Sequence, residues 1–289
     1  MDYSILAVQL MTGLAYGMLL FMMATGLTII FGLLNVINLA HGALFMVGGY
    51  VALTFVKEYT NFWIALLLTI VVMAIIGVLI ERFLLNRMYG KEFEQVLLTF
   101  GLIFVLSDGA KWIWGSSPQA IPVPEALRFA VTIGDISFPA YRLFVVLIGC
   151  IFALILWYLE AKTRIGAIIR AGVDDREMLG ALGINFKLVF TGVFCFGAGL
   201  AGLSGALGAP ILGLYVGMDG DILILSLVIV VIGGLGTWKG AFIGAILVGM
   251  IDTLGRIWFP QISMAIIFAL MVIVLLIKPS GLFGKEVKA

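Results

Sequence analysis

The sequence predicts an all-α integral membrane protein, a polytopic helical bundle of about nine membrane segments within a range of eight to ten. Three observations predict it. Of 289 residues 63% are hydrophobic and only 11% charged, with a mean hydropathy of +1.22, far outside the soluble range. Apolar stretches near bilayer length recur along the whole chain. The seven prolines fall between those stretches or at their ends, and the six tryptophans lie near stretch ends, where amphipathic rings anchor at the interface.

Taken in order, the apolar stretches are 5–33, 42–56, 62–80, 95–114, 141–160, 188–208, 222–238, 241–257 and 262–277. The first exceeds one bilayer thickness. Residues 34–56 are short and polar at their start, which reads as a broken or re-entrant element. No linker or low-complexity tail divides the chain, so residues 1–289 are read as one membrane domain. A cleavable signal is not expected, because MDYS lacks a basic region and the first apolar stretch is too long. Cys150 and Cys195 fall inside apolar stretches and read as small core residues, with neither a disulfide nor a metal site indicated.

Basic residues set the expected orientation. Arg82, Arg87 and Lys91 mark the 81–94 connection, five basic residues mark 161–187, and Lys278, Lys285 and Lys288 mark the C-terminal tail. These three belong in the cytoplasm. The 115–140 loop has only Arg128, and 209–221 has Asp219 and Asp221 with no basic residue, so both lie outside. Nine crossings then place the N-terminus outside and the C-terminus in the cytoplasm. Within the outer loop Val131-Thr132-Ile133, Gly134-Asp135 and Ile136-Ser137-Phe138 form a hairpin signal, a platform for an external protein.

Small residues concentrate in two places. Gly197, Ala201, Gly205 and Ala209 recur every four residues, beside a second stripe of Ala198, Gly202 and Ala206. Gly233, Gly234, Gly236, Gly240 and Gly244 surround a turn with Lys239. Such faces allow close backbone approach between helices in lipid, and sliding or kinking during transport is the functional alternative. His41-Gly42-Ala43-Leu44 and Lys239-Gly240-Ala241-Phe242 echo each other faintly, as internal repeats of transporters do.

Much chemistry is excluded. Gly90-Lys91 and Gly284-Lys285 lack the rest of a phosphate-cradling loop, so no ATP site is expected in this chain. One histidine and two isolated cysteines make no metal cluster, no catalytic constellation is present, and a net charge of +1 without a basic run gives no reason to expect nucleic acid. Asp108 lies near the outer end of its stretch, and Asp252 with Arg256 reads as a local ion pair four residues apart. No acid sits in mid-span, which argues against a proton- or sodium-driven carrier.

Two polar features remain. Asn35, Asn38 and His41 recur every three residues in an apolar setting, and either line a translocation path or satisfy a broken helix end. The second is a charged island over 161–187. Within it Asp174, Asp175, Arg176, Glu177, Met178, Ala181 and Leu182 read as a short amphipathic helix ended by Gly183. Acids occupy its first turn, and Met178, Ala181 and Leu182 share one face. A cytosolic helix of this kind is made to meet a partner.

The stretch GLTIIFGLLNVINLAHGALFMVGGYVA (26–52) resembles the N-terminal signature of the branched-chain amino-acid ABC transporter permeases, in their shorter H-type subunit. The likeness continues through YRLFVV (141–146), RAGVDDREMLGALGIN (170–185) and IVVIGGLGTWKGAFIGAILVG (229–249), and so spans nearly the whole chain. It implies a permease subunit of a binding-protein-dependent importer. The implied partners are a second permease (a distinct paralogue by the family pattern), two ATP-binding cassette subunits that bind the ATP, and a periplasmic substrate-binding protein. It also implies a bacterial inner-membrane location, and it makes the charged island a coupling helix docked on an ATPase. The expected solute is a branched-chain or other hydrophobic amino acid, with urea, amides or small carboxylates as alternatives. An ATP-independent carrier or channel, or a membrane scaffold, is the reading from another class.

Overall fold

A computed structural model of the chain describes residues 3–34, 37–59, 61–174 and 183–284. Its helices are α1 (Tyr3–Leu34), α2 (His41–Tyr59), α3 (Phe62–Phe83), α4 (Glu92–Trp114), α5 (Ala140–Lys162), α6 (Arg164–Asp174), α7 (Phe186–Leu212), α8 (Met218–Gly233), α9 (Trp238–Trp258) and α10 (Ser263–Ile277). Each apolar stretch read from the sequence is helical over most of its length. Among the described residues α1, α3, α4, α5, α7 and α9 are long and apolar enough to cross a membrane. The other three that match apolar stretches, α2, α8 and α10, are shorter at 19, 16 and 15 residues.

The bundle is built around α1, whose 32 residues reach roughly 48 Å at 1.5 Å per residue. It packs against α5, α7, α8 and α9, while α7 lies against α2 and α3. The small-residue stripes are the reason these backbones come so close. A Cβ at Gly48 of α2 would overlap the backbone of Gly202 in α7, and one at Gly17 of α1 would lie 2.8 Å from the Ala245 carbonyl oxygen in α9. Hydrogen bonds join α7 to two further helices: Ser204 Oγ donates to the Leu19 carbonyl of α1 at 2.7 Å and the Tyr141 hydroxyl of α5 to the Leu207 carbonyl at 2.8 Å. In lipid, packing and such bonds must hold helices together, because apolar burial supplies little drive.

The two ends of the bundle differ. At one end β1 (Ala130–Ile133) and β2 (Ile136–Pro139) form an antiparallel hairpin around Gly134-Asp135, with Ile133 facing Ile136 and Gly134 at φ +62°. The hairpin borders Ser4–Gln9 of α1, and Gln119 bridges Leu214 by two 2.8 Å backbone bonds. At the other end the chain after α10 folds back, with Leu282 N–H donating to the Ile232 carbonyl at 2.8 Å.

Four differences from the sequence reading stand out. The apolar stretch 222–238 is not one helix: α8 ends at Gly233, and Gly234 and Gly236, at φ +98° and +78°, turn the chain into α9. The same helix starts earlier, at Met218, taking Asp219 and Asp221 into its first turn, where the dipole favours acids. Helix α7 runs through Pro210 to Leu212 instead of stopping at 208, with the proline forgoing the bond its missing N–H would make to the Ala206 carbonyl. Cys150 is exposed on the bundle surface and not a core residue, since its position on α5 faces away from α1.

Candidate functional site

Three polar places interrupt the apolar bundle. The first is the break before α2. Asn38 is buried and lies in the turn ahead of the helix, so it does not share a helix face with His41, the first helical residue. Its Oδ1 accepts from Ala40 N–H at 3.1 Å, the local bond by which an asparagine turns its own backbone. The fully buried His41 ring approaches the Met23 carbonyl at 3.1 Å through Nε2, which therefore carries the proton. Thr99 Oγ1 of α4 accepts from Leu39 N–H at 3.3 Å. These are the bonds of a closed helix end. Among the described residues, Asn38 Nδ2 and His41 Nδ1 have no hydrogen-bond partner. Asn35 lies outside the described residues.

The second place frames the charged island. Asp175, Arg176, Glu177, Met178, Ala181 and Leu182 lie outside the described residues, while Asp174 closes α6 and Gly183 stands in a turn at φ +77°. Helix α6, read from the sequence as part of a loop, is started by Thr163, whose Oγ1 accepts from Gly166 N–H at 3.2 Å. The island is tied down on both sides. Before it, Arg170 donates to the Glu160 carbonyl, and the Glu160 carboxylate accepts the Trp238 indole N–H at the start of α9. After it, Asn185 caps α7 by accepting from Leu188 N–H at 3.3 Å. One turn further on, Thr191 donates to Glu81 Oε2 of α3 at 2.5 Å. Glu81 is 1% exposed, and its other oxygen accepts the Tyr89 hydroxyl. Burial, and then Glu81 itself, raise the Tyr89 pKa, so this hydroxyl remains a donor.

The sequence reading missed Glu81 and Glu160 as site residues. Each is a lone acid in the last turns of an apolar helix, and that isolation was the available signal.

The third place is on the other half of the bundle. A cleft of about 270 Å³ between α4 and the start of α8 is lined by Phe104, Ser107, Asp108, Lys111 and Asp219, among others. Ser107 Oγ donates to Asp219 Oδ2 at 2.9 Å, joining residues 112 apart in sequence. Asp108 and Lys111 pair at 3.0 Å with both side chains more than half exposed. Asp252 and Arg256 of α9 form the expected local pair, at 2.8 Å. Among the described residues no group of three or more His, Cys, Asp or Glu side chains could hold a metal.

Comparison with known proteins accords with this architecture. The family model described as branched-chain amino acid transport system / permease component matches residues 9–275. The high-affinity branched-chain amino acid transport system permease protein BraD of Pseudomonas aeruginosa is 28% identical, over 96% of this chain and 95% of its own length. The permease LivH of Salmonella typhimurium is 25% identical over 96% of this chain and 95% of its own. A probable branched-chain amino acid transport permease protein LivH of Methanocaldococcus jannaschii is 29% identical over 94% and 91%. No solved structure matches. The chain is a multi-pass membrane protein and belongs to the family of branched-chain amino acid transport system permease components.

Proposed function

We propose that this chain is the membrane-spanning permease subunit of a binding-protein-dependent ABC importer for branched-chain amino acids. One observation carries the reading: the family match runs from α1 through α10, covering the whole helical bundle. In this reading the chain is not an enzyme. ATP is bound by two separate cassette subunits, a second permease completes the path, and a periplasmic binding protein delivers the solute to the end bearing the β1–β2 hairpin. The membrane is the bacterial inner membrane, with the N-terminus outside and the C-terminus in the cytoplasm. Lys and Arg bias supports that orientation.

Asp174–Gly183 is then the coupling segment. The bonds from Glu160 and Thr191 would pass its displacement to α9 and α3. Asn38 and His41 act in closing the helix end before α2, within a membrane region where unpaired backbone groups are costly.

The test is leucine uptake into proteoliposomes holding the complete importer, with ATP inside and binding protein outside. Uptake that needs all components supports the reading, and uptake by this chain without an ATPase would make it a carrier or channel instead. The docking role has its own test. Glu177→Lys with Met178→Asp reverses a charge at the helix start and puts a carboxylate into the apolar contact. The double variant should insert normally yet lose the ATPase on co-purification. Orientation is checked by labelling: a Ser117→Cys variant should react with a reagent added outside and Arg164→Cys should not.

A further inference from the structure

The cleft between α4 and α8 has a composition that the helix packing does not explain. Asp108 stands six residues before the end of α4, roughly 9 Å below it. Lys111 lies between it and Trp112, which is 89% exposed. A charged pair one to two turns inside a helix end is less costly beside a water-filled passage than beside lipid. The pair is also not locked by its own fold: it is an exposed contact between residues three apart, of a kind that contributes little stability.

Three features converge there. Ile103 and Phe104 give the cleft an apolar wall. Lys111 supplies a cation and Asp108 an anion, 3.0 Å apart. Asp219, 6% exposed, adds a second carboxylate, fixed by the Ser107 hydroxyl and by its place in the first turn of α8. A cation and an anion side by side above an apolar wall match the groups of an amino-acid zwitterion with an aliphatic side chain.

We propose that this cleft is a binding station for a zwitterionic amino acid on the outer half of the translocation path, a proposal that rests on the importer reading. The substrate ammonium takes the place of Lys111 beside Asp108 and Asp219, its carboxylate takes the place of Asp108 beside Lys111, and its side chain lies on Ile103 and Phe104. One ion pair is thereby exchanged for two, and the ammonium also faces the Asp219 carboxylate, which in the empty cleft accepts the Ser107 hydroxyl. Such an exchange holds the solute weakly, which suits a station that must release it.

The test uses the complete importer in proteoliposomes at saturating binding protein. Asp108→Asn and Lys111→Met should each lower leucine uptake at least tenfold, with assembled complex and its melting temperature unchanged. The swap Asp108→Lys with Lys111→Asp keeps an ion pair but turns the zwitterion so that its side chain leaves the apolar wall. Uptake should therefore stay low in the swap. Recovery to the wild-type rate would show that the pair serves only as a surface contact and would overturn the proposal. Single variants that import normally, or that lose uptake only in step with lost complex, would overturn it too. A wild-type importer that moves no leucine fails earlier, at the substrate reading, and is told apart because no variant is needed to see it.

Discussion

The α2–α7 seam and the outer face of α4 are both membrane helix, yet they solve opposite problems. In the seam, glycines let backbones meet, Gly48 against Gly202 and Gly49 against Gly205, and the side chains around them are buried. On α4, only 17% of the membrane-length window is buried, against 78% for α1, and Phe100, Phe104 and Val105 point outward. The seam has no room to change without loss of structure. The α4 face combines exposed rings with an exposed ion pair near the end of the helix. Close packing belongs to the first region, and the proposed binding station to the second.

This contrast breaks if the seam tolerates bulk. Gly48→Leu should be the most damaging substitution, because its side chain meets backbone and not a flexible side-chain end. Overpacking costs ~1–3 kcal/mol or more. Folded, monodisperse protein in detergent should fall to a small fraction of wild type, and a normal yield would sink the account of the seam.

A smaller but clear effect is expected at the break before α2. Asn38→Leu removes the acceptor for Ala40 N–H, and an unpaired buried donor costs ~1–3 kcal/mol. Melting temperature and transport, measured on one preparation, should fall together. Lost transport with unchanged melting would instead make Asn38 part of the path.

Next comes Glu81→Ala, which strips the Thr191 and Tyr89 hydroxyls of their shared acceptor. Each bond to a charged acceptor is worth ~1.5–3 kcal/mol, and the loss of the two is offset in part because a carboxylate no longer has to be buried. If the tie transmits the coupling movement, uptake per ATP hydrolysed should drop further than melting does; equal losses would reduce Glu81 to a structural strut.

The smallest effect belongs to α4. Phe100→Ala, on an exposed ring, should move stability by no more than ~0.5 kcal/mol. A large fall in the isolated subunit would mean that this face is part of the core after all.

Much of this was legible in the sequence. Hydropathy located the apolar helices, and Gly134-Asp135 between alternating runs located the hairpin, because both signals are local and strong. Small-residue spacing on α7 foretold close packing but not its partners. Asn38 and His41 stand out in the sequence as polar groups needing partners, yet their spacing suggests a shared helix face that the turn before α2 removes. Thr163 at the head of α6 was passed over because a charged surface helix lacks the apolar run that announces a membrane span.

What the sequence determined by itself is the fold class, the positions of the helices and the family, since each follows from patterns within a few dozen residues. The tertiary structure alone decided which helices are central and which polar groups meet. Ser107 finds Asp219 across 112 residues and Glu81 finds Thr191 across 110. No local rule contains those pairings: they depend on the order of the helices, which for α3 and α7 is set where Gly77 meets Ala198, and that order decides which buried polar groups can satisfy one another.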